Sequence, residues 1–189
     1  MAKALGAWWG EDFHRTPGSG GLHWSAGHNV AGDITVPDHS GFPFVVECKN
    51  QEGGWTLESV MLDKHTIKDW YAQVVEDARR VNKVPMLIFT RNYADEFVMM
   101  PFNEDNYKSF QEAKQPVMRT SVEYTVEISN STERFDVMIT TLGGLTSFEP
   151  EFYNPSNLLD WDEVTRLSDD IEDVEEDIND TLSKLNDIK

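Results

Sequence analysis

Asp33 is followed, fourteen residues later, by Glu47-Cys48-Lys49. Successive side chains of an extended strand alternate faces, so Glu47 and Lys49 share one face and Cys48 points to the other. An adjacent strand carrying Asp33 brings a second carboxylate beside Glu47. Two carboxylates at one strand end repel unless a cation lies between them. Hard oxygen donors suit magnesium or manganese. Such a cation can lower the pKa of a bound water and offset charge on a phosphoryl oxygen. Lys49, on the same face, can hold the water or neutralise the charge that develops at phosphorus. An E-x-K triplet alone is common, and the bland alternative is an edge-strand Glu/Lys pair with an unrelated turn Asp. The combination of Gly32-Asp33-Ile34, a hairpin-length gap and an apolar run entering Glu47 is more specific.

The elements that must position these residues are short. Ala31 to Val36 reads as a strand opened by Gly32 and ended by Pro37. Phe44-Val45-Val46 is aromatic and β-branched, which predicts a buried strand. Asp38 to Gly41 between them reads as a hairpin loop. Residues 66–82 carry Ile67, Trp70, Tyr71, Val74, Val75 and Ala78 at steps of three and four, an amphipathic helix. Strands are expected over 85–90 and 96–100, a helix over 103–114 capped by Asn103, and an antiparallel pair over 117–129 and 134–142. The order predicts a mixed α/β domain.

The chain has 189 residues, of which 39% are hydrophobic and 26% charged, enough to bury a core. We expect a domain over 1–150, a linker over 151–159 and an acidic helix over 160–189. In the last segment Val164, Leu167, Ile171, Val174, Ile178, Thr181, Leu185 and Ile188 recur in a heptad pattern. That helix either pairs subunits or packs back on its own domain. The net charge of −18 argues against a non-specific nucleic-acid coat. Half of it, −9, comes from 160–189, so global charge is a poor guide to any one face. No apolar run is long enough for a membrane helix, and no secretory signal is expected. The single cysteine, Cys48, fits a reducing cytoplasm.

Asp33, Glu47 and Lys49 fit the signature of the PD-(D/E)XK nuclease superfamily, which the strip 42–50, Phe-Pro-Phe-Val-Val-Glu-Cys-Lys-Asn, resembles most in its small phage-encoded members. The first signature position reads Gly-Asp rather than Pro-Asp. Upstream, Glu11, Phe13, Arg15 and Thr16 to Gly21 are similar to the opening of phage and archaeal Holliday-junction-resolvase-like members. The resemblance covers roughly residues 9–90. It implies a restriction-endonuclease-like mixed sheet flanked by helices. It implies Asp33, Glu47 and the Cys48 backbone carbonyl as metal ligands, with Glu11 on a first helix completing the site. It implies Lys49 as the assistant to the attacking water, Arg15 and Ser19 at the DNA backbone, and Gln73, a helix glutamine common in several branches, as a further DNA-binding residue.

The expected function is therefore a magnesium-dependent, structure-selective DNA endonuclease, with manganese able to substitute. It would cut branched DNA to leave 5′-phosphates, as a homodimer or higher oligomer in the cytoplasm, that of the host if phage-encoded. The alternatives are another nuclease of the superfamily, exonuclease or restriction-like, and a non-catalytic interaction or DNA-mimic protein. His14, His23, His28, His39 and His65 match no zinc-finger spacing and read as loop residues. Trp8, Trp9, Trp24 and Trp55 read as core.

Overall fold

The fold is that of a computed structural model, which describes residues 1–17, 31–53, 55–61, 66–125 and 132–164. A first helix, α1 (Ala2–Trp9), ends at Gly10, whose left-handed φ of 81° closes the helix with a bond from its N–H to Gly6 O. Two short strands, β1 (His14–Arg15) and β2 (Ile34–Thr35), pair antiparallel as a ribbon of their own. Strand β3 (Phe44–Asn50) leads through α2 (Leu57–Met61) to α3 (Ile67–Arg80), and α3 returns the chain to β4 (Val84–Thr90). Then come β5 (Phe97–Pro101), α4 (Glu104–Glu112), the pair β6 (Val117–Thr125) and β7 (Thr132–Thr141), α5 (Leu142–Leu145) and α6 (Pro155–Leu158).

The main sheet has the order β3-β4-β5-β7-β6. Only β3 and β4 run parallel, because α3 carries the chain back across one face. The predicted amphipathic helix, the Asn103 cap and the late antiparallel pair all form. Asn103 Oδ1 accepts from Asn106 N–H at 2.9 Å. The stripe Ile67, Tyr71, Val74, Val75 and Ala78 is buried, with Ile67, Val74 and Val75 each contributing roughly 2 kcal/mol. The sheet is therefore mixed and flanked by helices, as expected.

The expected hairpin between Ala31–Val36 and the following strand does not form. Pro37 has no N–H to continue a ladder, and Asp38–Ser40 winds into a turn of 3₁₀ helix instead. Strand β2 takes β1 as its partner. Strand β3 is left at the sheet edge.

Phe44, Val46 and Cys48 face a core that includes Leu5, Phe13, Ile34, Phe42 and Tyr153. Aromatic rings dominate it: Phe13 and Trp9 meet Phe42 edge-on at 4.8 and 5.0 Å. Trp8 Nε1 donates to Phe148 O and Trp9 Nε1 to Ser40 O, so both indoles pack with their polar tips satisfied. Trp24 lies outside the described residues.

Residues 1–159 form one unit and 160–189 another. The stretch expected as a linker is packed rather than free. Tyr153 is buried and donates its hydroxyl to Leu145 O at 2.7 Å, and Leu158 is buried as well. Its aromatic area favours burial over a free tether. In the second unit, Asp160 Oδ1 accepts from the N–H of Asp162, and residues 161–164 are helical. The heptad beyond residue 164 lies outside the described residues.

Candidate active site

The site is built on the free edge of β3. In an extended strand the N–H and C=O of one residue point to the same side. Asp33 N–H donates to Val46 O at 2.7 Å, and Cys48 N–H donates to Asp33 Oδ2 at 2.8 Å. Val46 and Cys48 thus turn their backbone groups outward to Asp33. That places the Cys48 carbonyl on the Asp33 side of the strand. Two bonds on either side of Glu47 fix the Asp33 carboxylate beside it.

Gly32 makes this approach possible. Its φ is +74°, and a Cβ there would stand 2.5 Å from Val46 O. Only glycine combines that conformation with that contact. In the sequence Gly32 reads only as a strand opener; its tight fit against β3 has no local signature.

Glu47 points to the α3 face, where it is 5% exposed. Lys49 Nζ lies 2.6 Å from Glu47 Oε1, and Gln73 Nε2 donates to the same oxygen at 3.0 Å. Lys49 Nζ also donates to Gln73 Oε1 at 3.0 Å, closing a triangle. The expected shared face of Glu47 and Lys49 is what the strand provides. Gln73 is in contact with both, two turns into α3. Among the described residues, Glu47 Oε2 and Asp33 Oδ1 accept no hydrogen bond.

Burial pushes the Glu47 carboxyl up from its ordinary value; Lys49 pulls it down and the Asp33 carboxylate pushes it up further. Burial, then Asp33, pushes the Cys48 thiol up to about 12, so this cysteine is no nucleophile at neutral pH.

Arg15 and Asp33 line one open cavity of about 550 Å³, together with Lys3, His14 and Cys48. Arg15 is thus brought to the Asp33 side of the site. Lys3 joins it from α1, where nothing in the sequence marks it. Ser19 lies outside the described residues. Glu11 is not on the first helix, which has ended at Trp9; its Oε2 lies 3.4 Å from His39 Nε2. Among the described residues no three His, Cys, Asp or Glu side chains gather as metal ligands, so Glu11 does not complete a three-acid cluster with Asp33 and Glu47. The correction follows from Gly10, whose left-handed turn sends the chain away from the helix axis.

The donor set fits a hard divalent cation nonetheless. Among the described residues each of the two carboxylates leaves an oxygen without a protein donor, and the Cys48 carbonyl stands on the Asp33 side of the strand. Magnesium commonly takes one or two carboxylates and completes its shell with water and substrate phosphate.

Residues 1–155 match a family model described as "Phage putative PDDEXK endonuclease". No curated protein and no solved structure matches the chain. No helix among the described residues is long and apolar enough to cross a membrane.

Proposed function

The chain belongs to the phage PDDEXK endonuclease family, and from that premise we propose that it is a magnesium-dependent endonuclease of branched DNA, Holliday junctions among them. The observation that carries the reading is the half-satisfied Glu47, one oxygen saturated by Lys49 and Gln73 and the other open, beside a pinned Asp33.

Asp33, Glu47 and the Cys48 carbonyl would hold the cation, which supplies a lowered water pKa and offsets phosphoryl charge. Lys49 has three N–H donors and uses two on Glu47 and Gln73. The third is available to the attacking water or to a non-bridging phosphoryl oxygen. Gln73 holds Lys49 and Glu47 in one arrangement, so the ammonium is oriented before substrate arrives. Arg15 and Lys3 would take the flanking phosphates, Arg15 with a forked contact. The water oxygen bonds to phosphorus, and the 3′-oxygen leaves with a proton. The products are a 5′-phosphate and a 3′-hydroxyl.

The test is cleavage of a four-way junction, a flap and a linear duplex that share one arm sequence, with magnesium and with chelator. We expect magnesium-dependent cutting that favours the branched DNAs and is abolished in Asp33→Asn. Full activity of Asp33→Asn would remove the assignment, and equal rates on all three DNAs would favour a nuclease without branch preference.

Resolving a junction takes two symmetric cuts, and the heptad of 160–189 offers a way to pair two copies. Sedimentation at one micromolar concentration should show a larger species for the full chain than for a chain ending at residue 159. Identical species would remove the pairing role.

A further inference from the structure

Strands β3 and β4 are parallel, so their C-terminal ends emerge on one edge of the sheet, the edge toward which Lys49 lies. Lys49 stands opposite Phe89 and Asn50 opposite Thr90. The chain then leaves β3 into residues 51–56 and leaves β4 into residues 91–96. These two loops are fastened to each other. Gln51 N–H donates to Thr90 O at 3.1 Å, and Asn92 Nδ2 donates to Glu52 Oε2 at 2.7 Å. The Arg91 guanidinium lies over the Trp55 ring at 5.5 Å, and Trp55 packs edge-on against Phe89 at 5.0 Å. Thr90 Oγ1 reaches across the base of the second loop, 3.4 Å from both Ala94 O and Asp95 O.

This braced platform presents the Tyr93 ring to solvent. Among the described residues the exposed large hydrophobic side chains are Leu57 and Tyr93, and each follows one of these two strands. Tyr93 is fully exposed and has a φ of +60°. A left-handed tyrosine is unusual, and the conformation costs roughly 1 kcal/mol. The turn recovers that cost, since Ala94 N–H donates to Arg91 O at 3.2 Å and closes residues 91–94 around Tyr93, while among the described residues no ring contact of Tyr93 draws it into the fold. From the register, Tyr93 lies at most ~13 Å along the strand direction and ~5 Å across from the Lys49 backbone, a span of about four base pairs.

We propose that Tyr93 is a specificity-determining residue that stacks on a nucleobase exposed at the branch of the DNA substrate. The inference rests on the nuclease reading above and deepens it. Charge favours bases over phosphates as the target: the two loops carry Glu52, Asp95 and Glu96 against Arg91. A surface of that sign does not track a phosphate backbone. An uncharged aromatic face, held out by a rigid turn, takes a base of any sequence, provided the base is not already stacked on both sides. Linear duplex offers no such base in its interior, and a branch does.

The full chain, Tyr93→Ala and Tyr93→Phe are compared on the junction, the flap and the linear duplex, with kcat/KM as the readout. A 2-aminopurine at the branch reports stacking independently. We expect Tyr93→Ala to lose about tenfold on the two branched DNAs and less than twofold on the duplex, and to abolish the change in 2-aminopurine emission on binding. Tyr93→Phe should behave as wild type, and all three should melt at the same temperature within a few degrees. An active wild type with Tyr93→Ala unchanged, or reduced equally on all three DNAs, overturns the inference alone. A wild type that cuts none of them overturns the nuclease reading, and this inference with it.

Discussion

Among the described residues two carboxylates are buried, Glu47 on β3 and Glu133 on β7, and both meet side chains of α3. Glu133 has donors on both of its oxygens. Arg79 grips it with both terminal nitrogens, Nη1 to Oε1 at 2.9 Å and Nη2 to Oε2 at 2.6 Å, and the Tyr124 hydroxyl adds a donor to Oε2 at 2.8 Å. Both oxygens of that carboxylate are answered from within the fold. Glu47 instead gathers both of its donors on one oxygen and has Asp33 as a neighbour of like charge. One helix thus supports a carboxylate that closes the structure and another that leaves it chemically unfinished. The number of donors, and how they are divided between the two oxygens, separates the two roles better than burial does.

The sharpest way to break this contrast is Glu47→Gln. It should cost at least about a thousandfold in single-turnover cleavage, since it removes a charged ligand. Its effect on stability should have the opposite sign from that of removing an ordinary ion pair. Burial and Asp33 raise the Glu47 pKa, so ionising it costs folding free energy. Its contribution is fully present below the ordinary glutamate value and is lost as pH rises through the raised folded value. Thermal melts in chelator should therefore show Glu47→Gln gaining on wild type between pH 4 and pH 7. A variant that loses ground as pH rises would refute the unfinished-carboxylate reading.

Glu133→Ala should do the reverse. It leaves the Arg79 charge and the Tyr124 hydroxyl without their shared acceptor, at a cost of about 3 kcal/mol in chemical denaturation. The rate per folded molecule should stay within about twofold of wild type. A large catalytic defect in a folded Glu133→Ala would join the two regions into one functional unit.

Gln73→Ala probes the smallest of the three effects. Its amide touches both Glu47 and Lys49 but binds no substrate in the proposed scheme. We expect a ten- to hundredfold fall in turnover, the usual scale for a supporting partner, and a stability change under about 1 kcal/mol because the side chain is exposed. A fall in DNA affinity with unchanged turnover would reassign Gln73 to substrate contact.

Much of this was legible in the chain. Alternation along Phe44–Lys49 placed Glu47 and Lys49 together, and the stripe on 66–82 placed Gln73 on a helix behind them. What local patterns could not carry is what depends on pairing across the fold. The partner of β2 was decided by Pro37 and by a ribbon strand of two residues, His14–Arg15, too short to leave a periodic signal. Glu133 and Arg79 are 54 residues apart, and nothing in either neighbourhood announces the other. Tyr153 looked like part of a linker because its burial depends on Leu145 and the aromatic core, not on its flanking prolines. Glu11 was displaced from a helix by one glycine.

The bond from Cys48 N–H to Asp33 has a consequence for the behaviour of the protein in a tube. An outer strand with open N–H and C=O groups invites strand addition from another molecule, and natural sheets block such edges with charge, bulges or cover. On β3 two of the outward groups, the Val46 carbonyl and the Cys48 N–H, are already occupied by Asp33, through its backbone and its carboxylate. The acid proposed to hold the metal is therefore also the cap that keeps this edge from templating aggregates. Alanine at position 33 frees the Cys48 N–H, whereas asparagine retains an oxygen that can accept from it. An inactive protein meant for concentration and co-crystallisation with DNA is better made as Asp33→Asn than as Asp33→Ala.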